Sequence, residues 1–339
     1  MKAIMIEGPH KLKIIDMEKP QIKNKDDVLL KIISGGICGS DIGIYNGTNS
    51  LATYPRIIGH ECAGIVEEIG LGVTNVKIGD VVAVDPVRSC GKCYACKNGR
   101  HNVCSTLEVT GVHRDGGFCE YVVTSEKYVY STDLGKDNDY LVSLVEPYSI
   151  GMEVNNRANI KEKDTVLIMG SGPIGCCVMQ VAKSRGAKVV MTDLVDSRLE
   201  RAKDMGADIV LNVLKEDLSS KTEEITSNEG FPVIVDTVCS PKSFEQAVEL
   251  ASPAGRVIVL GTTNKVSEIP QVNITKKELD VKGSRLNNHC FPEVIKGFEM
   301  GSLTPKKLCT HVFDYKDVQH ALELLQNSPD ETCKVILKF

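Results

Sequence analysis

Between Cys38 and Glu61 the chain gathers a thiolate, an imidazole and a carboxylate on one short segment. It reads Cys38-Gly39-Ser40-Asp41 at one end and Gly59-His60-Glu61 at the other. Soft sulfur beside borderline nitrogen, with room left for water or substrate, is the ligand chemistry of a catalytic zinc. Ser40 lies just beyond the thiolate, where a hydroxyl can pass a proton to or from an alcohol. Asp41 is placed to accept the second ring N–H of His60 and so fix its tautomer. The same residues also fit a blander reading, with Cys38 a small buried apolar group and His60 a satisfied core histidine.

Further along, Cys90, Cys93, Cys96 and Cys104 follow the pattern C-x2-C-x2-C-x7-C. The loop between them carries Gly91, Lys92, Lys97, Asn98, Gly99 and Arg100, so it has little apolar surface with which to bury four sulfurs. A closed tetrahedral zinc site stabilises such a loop directly. An iron–sulfur cluster and unligated thiols are the alternatives. A nucleic-acid-binding zinc ribbon would want basic and aromatic surroundings, which are thin here. The other cysteines, Cys62, Cys119, Cys176, Cys177, Cys239, Cys290, Cys309 and Cys333, read as packing or surface thiols.

A third constellation begins at Gly170-Ser171-Gly172-Pro173-Ile174-Gly175. It follows the apolar run Thr165–Met169 and opens a helical pattern ending near Arg185. A second apolar run, from Lys188, ends on Asp193. Strand, G-x-G-x-x-G, helix, strand and then an acid about 20 residues on is the dinucleotide fingerprint in its structural context. The glycines let the backbone approach a pyrophosphate at the helix N-terminus. Asp193 is placed for the adenosine ribose and repels a 2′-phosphate, which favours NAD over NADP; nearby Arg198 acts against that preference.

The elements that must position these groups fall into two textures. Residues 1 to about 130 alternate short apolar runs with glycine-rich turns, the signature of a β-rich unit. Pro147 follows Glu146 and predicts an extended or turn conformation there. From Thr165 the pattern alternates β and α. Strands are predicted at 165–169, 188–192, 209–211, 233–236, 256–260 and 280–284, with helices at 176–185, 197–205 and 243–250. Six such strands make a doubly wound sheet. A tail with helices near 292–300 and 317–326 and strands near 310–313 and 334–337 is expected to return to the first domain. The domains are therefore 1–148 with 289–339, and 149–288. A net charge of −5 argues against general nucleic-acid or membrane-surface binding. The amino terminus has no apolar signal region and no run long enough to span a bilayer, so a cytoplasmic protein is expected.

Taken in order, Cys38-Gly-Ser-Asp, Gly59-His60-Glu61, the four-cysteine lobe, Glu146-Pro147 and Gly170–Gly175 resemble the zinc-dependent medium-chain dehydrogenase/reductase superfamily along essentially the whole chain. Glu146-Pro147 is similar to the polyol (sorbitol) and L-threonine dehydrogenase branch. The resemblance implies a GroES-like catalytic domain joined to a Rossmann domain, in a homo-oligomer, either dimer or tetramer. It implies that Cys38, His60 and Glu146 hold the catalytic zinc, that Glu61 can replace its water, and that Ser40 relays the proton. It places Leu260, Gly261, Ser284 and Arg285 among the cofactor contacts. Tyr54-Pro55-Arg56, Gly111-Val-His113, Asp115-Gly-Gly-Phe118, Lys277-Glu278 and Gly283-Ser284-Arg285 resemble bacterial L-galactonate or L-gulonate 5-dehydrogenases. Gly43 departs from the pattern, since many relatives carry histidine there.

The reaction expected is hydride transfer from a secondary alcohol to NAD, with zinc lowering the alcohol's pKa. Tyr45, Arg56, His113, Arg114 and Arg285 are candidate substrate contacts, and Arg88 also stands near the expected cleft. Arginine's planar fork suits the carboxylate of a sugar acid. A polyol, butanediol or L-threonine substrate is the alternative within the same chemistry. A nicotinamide-binding protein without zinc chemistry is the alternative outside it.

Overall fold

The structure is a computed structural model that describes residues 1–134 and 136–339. The chain forms two compact units, Met1–Glu146 with Asn287–Phe339, and Pro147–Leu286. The tail belongs to the first unit from Asn287 onward. No helix is long and apolar enough to cross a membrane among the described residues.

The first unit is built on the long strand Asp27–Ile37. Most of its side chains are buried, as a strand covered on both faces requires. On one edge it pairs antiparallel with Glu61–Ile69, which pairs in turn with Val81–Val84. Near its C-terminal end it also pairs antiparallel with the last strand of the chain, Lys334–Lys338, through Val335↔Ile37 and Leu337↔Gly35. These pairings bring residues from the two ends of the sequence to one spot. The helix Gly39–Tyr45 leaves the end of the strand with Cys38 as its N-cap. A three-stranded sheet is built from Lys2–Gly8, Lys11–Asp16 and Arg56–Ile57. Lys11–Asp16, mostly exposed, has no strong apolar alternation and was not legible as a strand.

The second unit is a six-stranded parallel sheet ordered Ile209–Asn212, Lys188–Asp193, Thr165–Met169, Phe231–Asp236, Ala251–Val259, Asp280–Gly283. All six expected strands are present, in the doubly wound order. The central strands are almost wholly apolar and buried, with Val166, Leu167, Ile168, Val233, Ile234 and Val235 at 0 % exposure. Each such side chain contributes about 1.5–3 kcal/mol when buried. The helices Pro173–Ser184, Asp196–Asp204 and Pro241–Leu250 pack on this sheet. The helix Leu218–Thr226, capped by Asp217 accepting from Ser220 N, was missed by periodicity because only Leu218 and Thr222 on it are buried.

One local expectation is corrected. Glu146 is helical, the second residue of Val145–Ala158. Pro147 sits in the first turn, where a missing N–H removes no intrahelical bond, so it does not interrupt the helix.

Candidate active site

Cys38, His60 and Glu61 offer ligand atoms that all lie within 4.8 Å of one another. Strand pairing makes this possible, because Gly36 is the register partner of Glu61. Gly36 must stay bare: a Cβ there would fall 2.2 Å from Glu61 Oε2. Gly59, with φ +96°, turns the chain so that His60 faces inward. A side chain at Gly59 would collide with the Phe118 ring, whose Cδ1 lies 2.1 Å from the Cβ position. The strap Gly116–Phe118 closes over the turn, donating from Gly116 N to Ile57 O, Gly117 N to Gly59 O and Phe118 N to Ile58 O.

Asp41 acts differently from the expectation. Its Oδ1 stands 3.6 Å from His60 Nδ1, which is too long for a hydrogen bond. Its carboxylate accepts instead from Cys38 N at 2.9 Å and Gly59 N at 3.2 Å. Asp41 therefore ties together the two backbone segments that present the sulfur and the imidazole. Glu146 is outside the three-residue group but is buried and interacts electrostatically with His60 and Glu61. Ser40 is half-buried in the first turn of its helix.

The electrostatics are those of an anion-rich pocket. Burial, with Glu61 and Asp85 adding to it, pushes the Glu146 carboxyl up to about 8, while His60 and Lys334 pull the other way. Burial by itself would lower the His60 imidazole; Asp41 and Cys38 outweigh it and hold the ring well above its usual value. His60 Nδ1 and Glu61 Oε2 are buried without a hydrogen-bond partner. Of these, Nδ1 faces Asp41 and Oε2 faces Gly36; the convergence of sulfur, imidazole and carboxylate is what suits a divalent cation. One participant was not foreseen: Lys334, 2 % exposed, donates to Glu61 Oε1. A single lysine at the head of the apolar run Val335-Ile336-Leu337 was the available signal.

The four-cysteine lobe is also assembled. Cys90, Cys93, Cys96 and Cys104 lie within 4.8 Å of one another by their sulfurs. Cys93 Sγ is 3.5 Å from Cys96 Sγ and 3.8 Å from Cys104 Sγ. A tetrahedron with zinc–sulfur bonds of ~2.3 Å has sulfur–sulfur edges of roughly 3.8 Å. Backbone N–H groups of Cys90 and Thr106 donate to Cys104 Sγ. Backbone donors, chiefly from Cys96 and Ser105, bring the Cys93 thiol down to about 5.

In the second unit a cavity of about 780 Å³ is lined by Gly170, Gly172, Pro173, Ile174, Gly175, Asp193 and Arg198. Gly175 permits close packing, since a Cβ there would lie 2.1 Å from Gly170 O. Asp193 accepts from Ser171 N at 2.9 Å and Leu194 N at 2.8 Å, and stands 3.9 Å from Arg198 Nη1. Thr237, Val238, Ser240 and Lys242 also line the cavity and were not foreseen. They follow the strand Phe231–Asp236, and the open end of that strand was the signal. Leu260, Gly261, Ser284 and Arg285 are not among the lining residues.

The candidate substrate side chains are occupied within the first unit. Arg56 donates to Asp115 Oδ1 at 3.0 Å and Thr53 Oγ1 at 2.8 Å. Arg114 stands 3.7 Å from Glu108 Oε2. His113 Nδ1 accepts from Val109 N, and the Tyr45 hydroxyl accepts from Gln319. Arg88 stacks over Tyr128 at 3.4 Å. Arg285, in the second unit, is exposed.

Comparison with known proteins matches residues 24–133 to the alcohol dehydrogenase GroES-like domain and residues 173–299 to the zinc-binding dehydrogenase domain. A solved structure described as a short chain alcohol dehydrogenase, rspB, from Escherichia coli CFT073, complexed with NADH, has a TM-score of 0.93 at 41 % identity, over 100 % of this chain and 99 % of that one. The chain belongs to the zinc-type medium-chain alcohol and polyol dehydrogenases. Sorbitol dehydrogenase of Bacillus subtilis (strain 168) is 33 % identical to this dehydrogenase over 345 residues, 99 % of this chain and 97 % of the relative. L-idonate 5-dehydrogenase of Vitis vinifera is 34 % identical over 310 residues, 88 % of this chain and 84 % of the relative. The zinc that membership implies fits both ligand groups, by the sulfur, imidazole and carboxylate atoms that converge at Cys38, His60 and Glu61 and by the spacing of the four sulfurs. Bound at the first group, zinc supplies a Lewis acid that lowers the pKa of an alcohol.

Proposed function

We propose that this dehydrogenase oxidises a secondary alcohol of a small polyhydroxylated substrate with NAD as hydride acceptor, and that the substrate is an L-hexonate of L-gulonate or L-galactonate type, oxidised at carbon 5 to a keto-uronate. The observation that carries the chemistry is the convergence of Cys38, His60 and Glu61 beside buried Glu146. In this reading Cys38, His60 and Glu146 hold the catalytic zinc, and Glu61 exchanges at the open position. Cys90, Cys93, Cys96 and Cys104 hold a second zinc, whose part is to keep the lobe folded. Ser40 takes the alcohol proton outward. Asp193 faces the adenosine ribose and disfavours a 2′-phosphate; the NADH in the rspB relative supports the same choice. Leu260, Gly261, Ser284 and Arg285 are retained as cofactor contacts on family likeness.

The sugar-acid assignment is supported by the Tyr54-Pro55-Arg56 and Asp115-Gly-Gly-Phe118 motifs and by the L-idonate 5-dehydrogenase relative. A second reading, a neutral polyol, is favoured by one observation: Arg56 and Arg114 already face carboxylates of their own chain. On either reading the enzyme works in the cytoplasm as a dimer or tetramer. The test is NADH formation from L-gulonate, L-galactonate, sorbitol, butanediol and L-threonine. Turnover of the hexonates above the rest upholds the assignment; turnover of sorbitol alone moves it to the polyols. No alcohol-dependent NADH formation with any of them ends it.

A further inference from the structure

Lys334 opens the strand Lys334–Lys338 and is 2 % exposed. Its ammonium donates to Glu61 Oε1 at 2.5 Å and to the Ile37 carbonyl at 3.3 Å. Ile37 precedes Cys38, so one cation ties the carboxylate to the segment that carries the sulfur.

A count of charge shows what the cation does. Cys38, Glu61, Glu146 and the buried Asp41 gather four acidic groups around His60. A divalent metal offsets part of this acidity, and Lys334 adds a buried cation directly against Glu61. The geometry is one-sided. Lys334 grips Oε1 of Glu61, while Oε2 has no partner and faces the bare Gly36. Folding alone does not call for such a pair, because an apolar pair of similar volume is often as stable or more so.

We infer that Lys334 is a positioning residue that holds Glu61 as an outer carboxylate and restrains it from becoming a permanent metal ligand, leaving the metal a position for the alcohol. This rests on the zinc reading above. The test replaces zinc by cobalt(II) and records the visible spectrum of the intact protein, with Cys38→Ser subtracting the four-thiolate lobe. Lys334→Met is expected to retain cobalt at wild-type stoichiometry but to shift the bands as Glu61 enters the ligand set. Lys334→Arg, which keeps the charge, is expected to restore the wild-type spectrum. An unshifted spectrum in Lys334→Met overturns the role of Lys334 and leaves the zinc reading standing. A wild-type spectrum unaffected by Cys38→Ser overturns both. Should Lys334→Met fail to fold, the double variant Glu61→Gln/Lys334→Met decides. Recovery of fold and cobalt binding upholds charge compensation, whereas a double variant as defective as the single one reduces Lys334 to packing.

Discussion

The two cysteine-bearing sites use overlapping ligand chemistry and are built in opposite ways. The four-cysteine lobe draws every ligand from residues 90–104, and three of its four cysteines are partly exposed. Its surroundings are loop, short helix and backbone N–H donors to sulfur. The site at Cys38 takes its groups from the end of one strand, the start of another and the first turn of the helix Val145–Ala158. It then adds a lysine 273 residues away from Glu61. In the lobe the four sulfurs are carried by loop and short helix, with backbone N–H groups donating to them. At Cys38 the paired strands and the Asp41 tether hold the backbones that present the groups. A site that holds structure is closed, local and homogeneous in its ligands; a site that turns over substrate needs a scaffold rigid enough to leave one position open.

The largest expected difference comes from breaking one ligand at each site. Structural zinc contributes on the order of 10 kcal/mol, comparable to the whole stability of a domain at ~5–15 kcal/mol. Cys96→Ser is therefore expected to unfold the lobe and aggregate the protein, read by thermal melting and by zinc content. If Cys96→Ser melts like the wild type, the lobe does not need its metal.

Glu146→Ala should give the contrasting result. The variant is expected to keep its circular-dichroism spectrum and the zinc of its four-cysteine lobe, and to lose alcohol-dependent NADH formation. Glu146 lies in the helix Val145–Ala158, outside the paired strands that present Cys38 and His60. Melting should therefore stay near wild type. Unfolding in Glu146→Ala would remove the contrast between the sites.

A smaller effect is expected at the dinucleotide cavity. The wild type should favour NAD over NADP by about tenfold or more, the ratio given by roughly 1.4 kcal/mol. Arg198, 3.9 Å from Asp193, softens the repulsion. Asp193→Ala should bring the ratio of kcat/KM values toward one. A wild type that already prefers NADP would mean that Arg198 outweighs Asp193.

The smallest effect sharpens the comparison by its absence. Cys62, Cys119, Cys176, Cys177, Cys290 and Cys333 are buried, and Cys239 and Cys309 are partly so, all outside the two metal groups. Changing any one of them to alanine should leave the zinc-to-protein ratio unchanged. Loss of one equivalent in any variant would reveal a third kind of ligand.

Sequence by itself determined what depends on short range. The four-cysteine spacing, the G-x-G-x-x-G turn with Asp193, and the six apolar runs of the parallel sheet are local patterns whose physics acts within a few residues. Proline at position 147 misled for the same reason: its local preference is real, but the first helical turn lacks the bond that proline would break. Tertiary structure decided what depends on pairing between distant segments. It turned Asp41 from a partner of the His60 ring into a tether of two backbones. It paired Arg56 with Asp115, and it placed Lys334 against Glu61. None of these could be read along the chain. A charged side chain takes its partner from whichever residue shares its low-dielectric surroundings, and those surroundings exist only after the strands have paired.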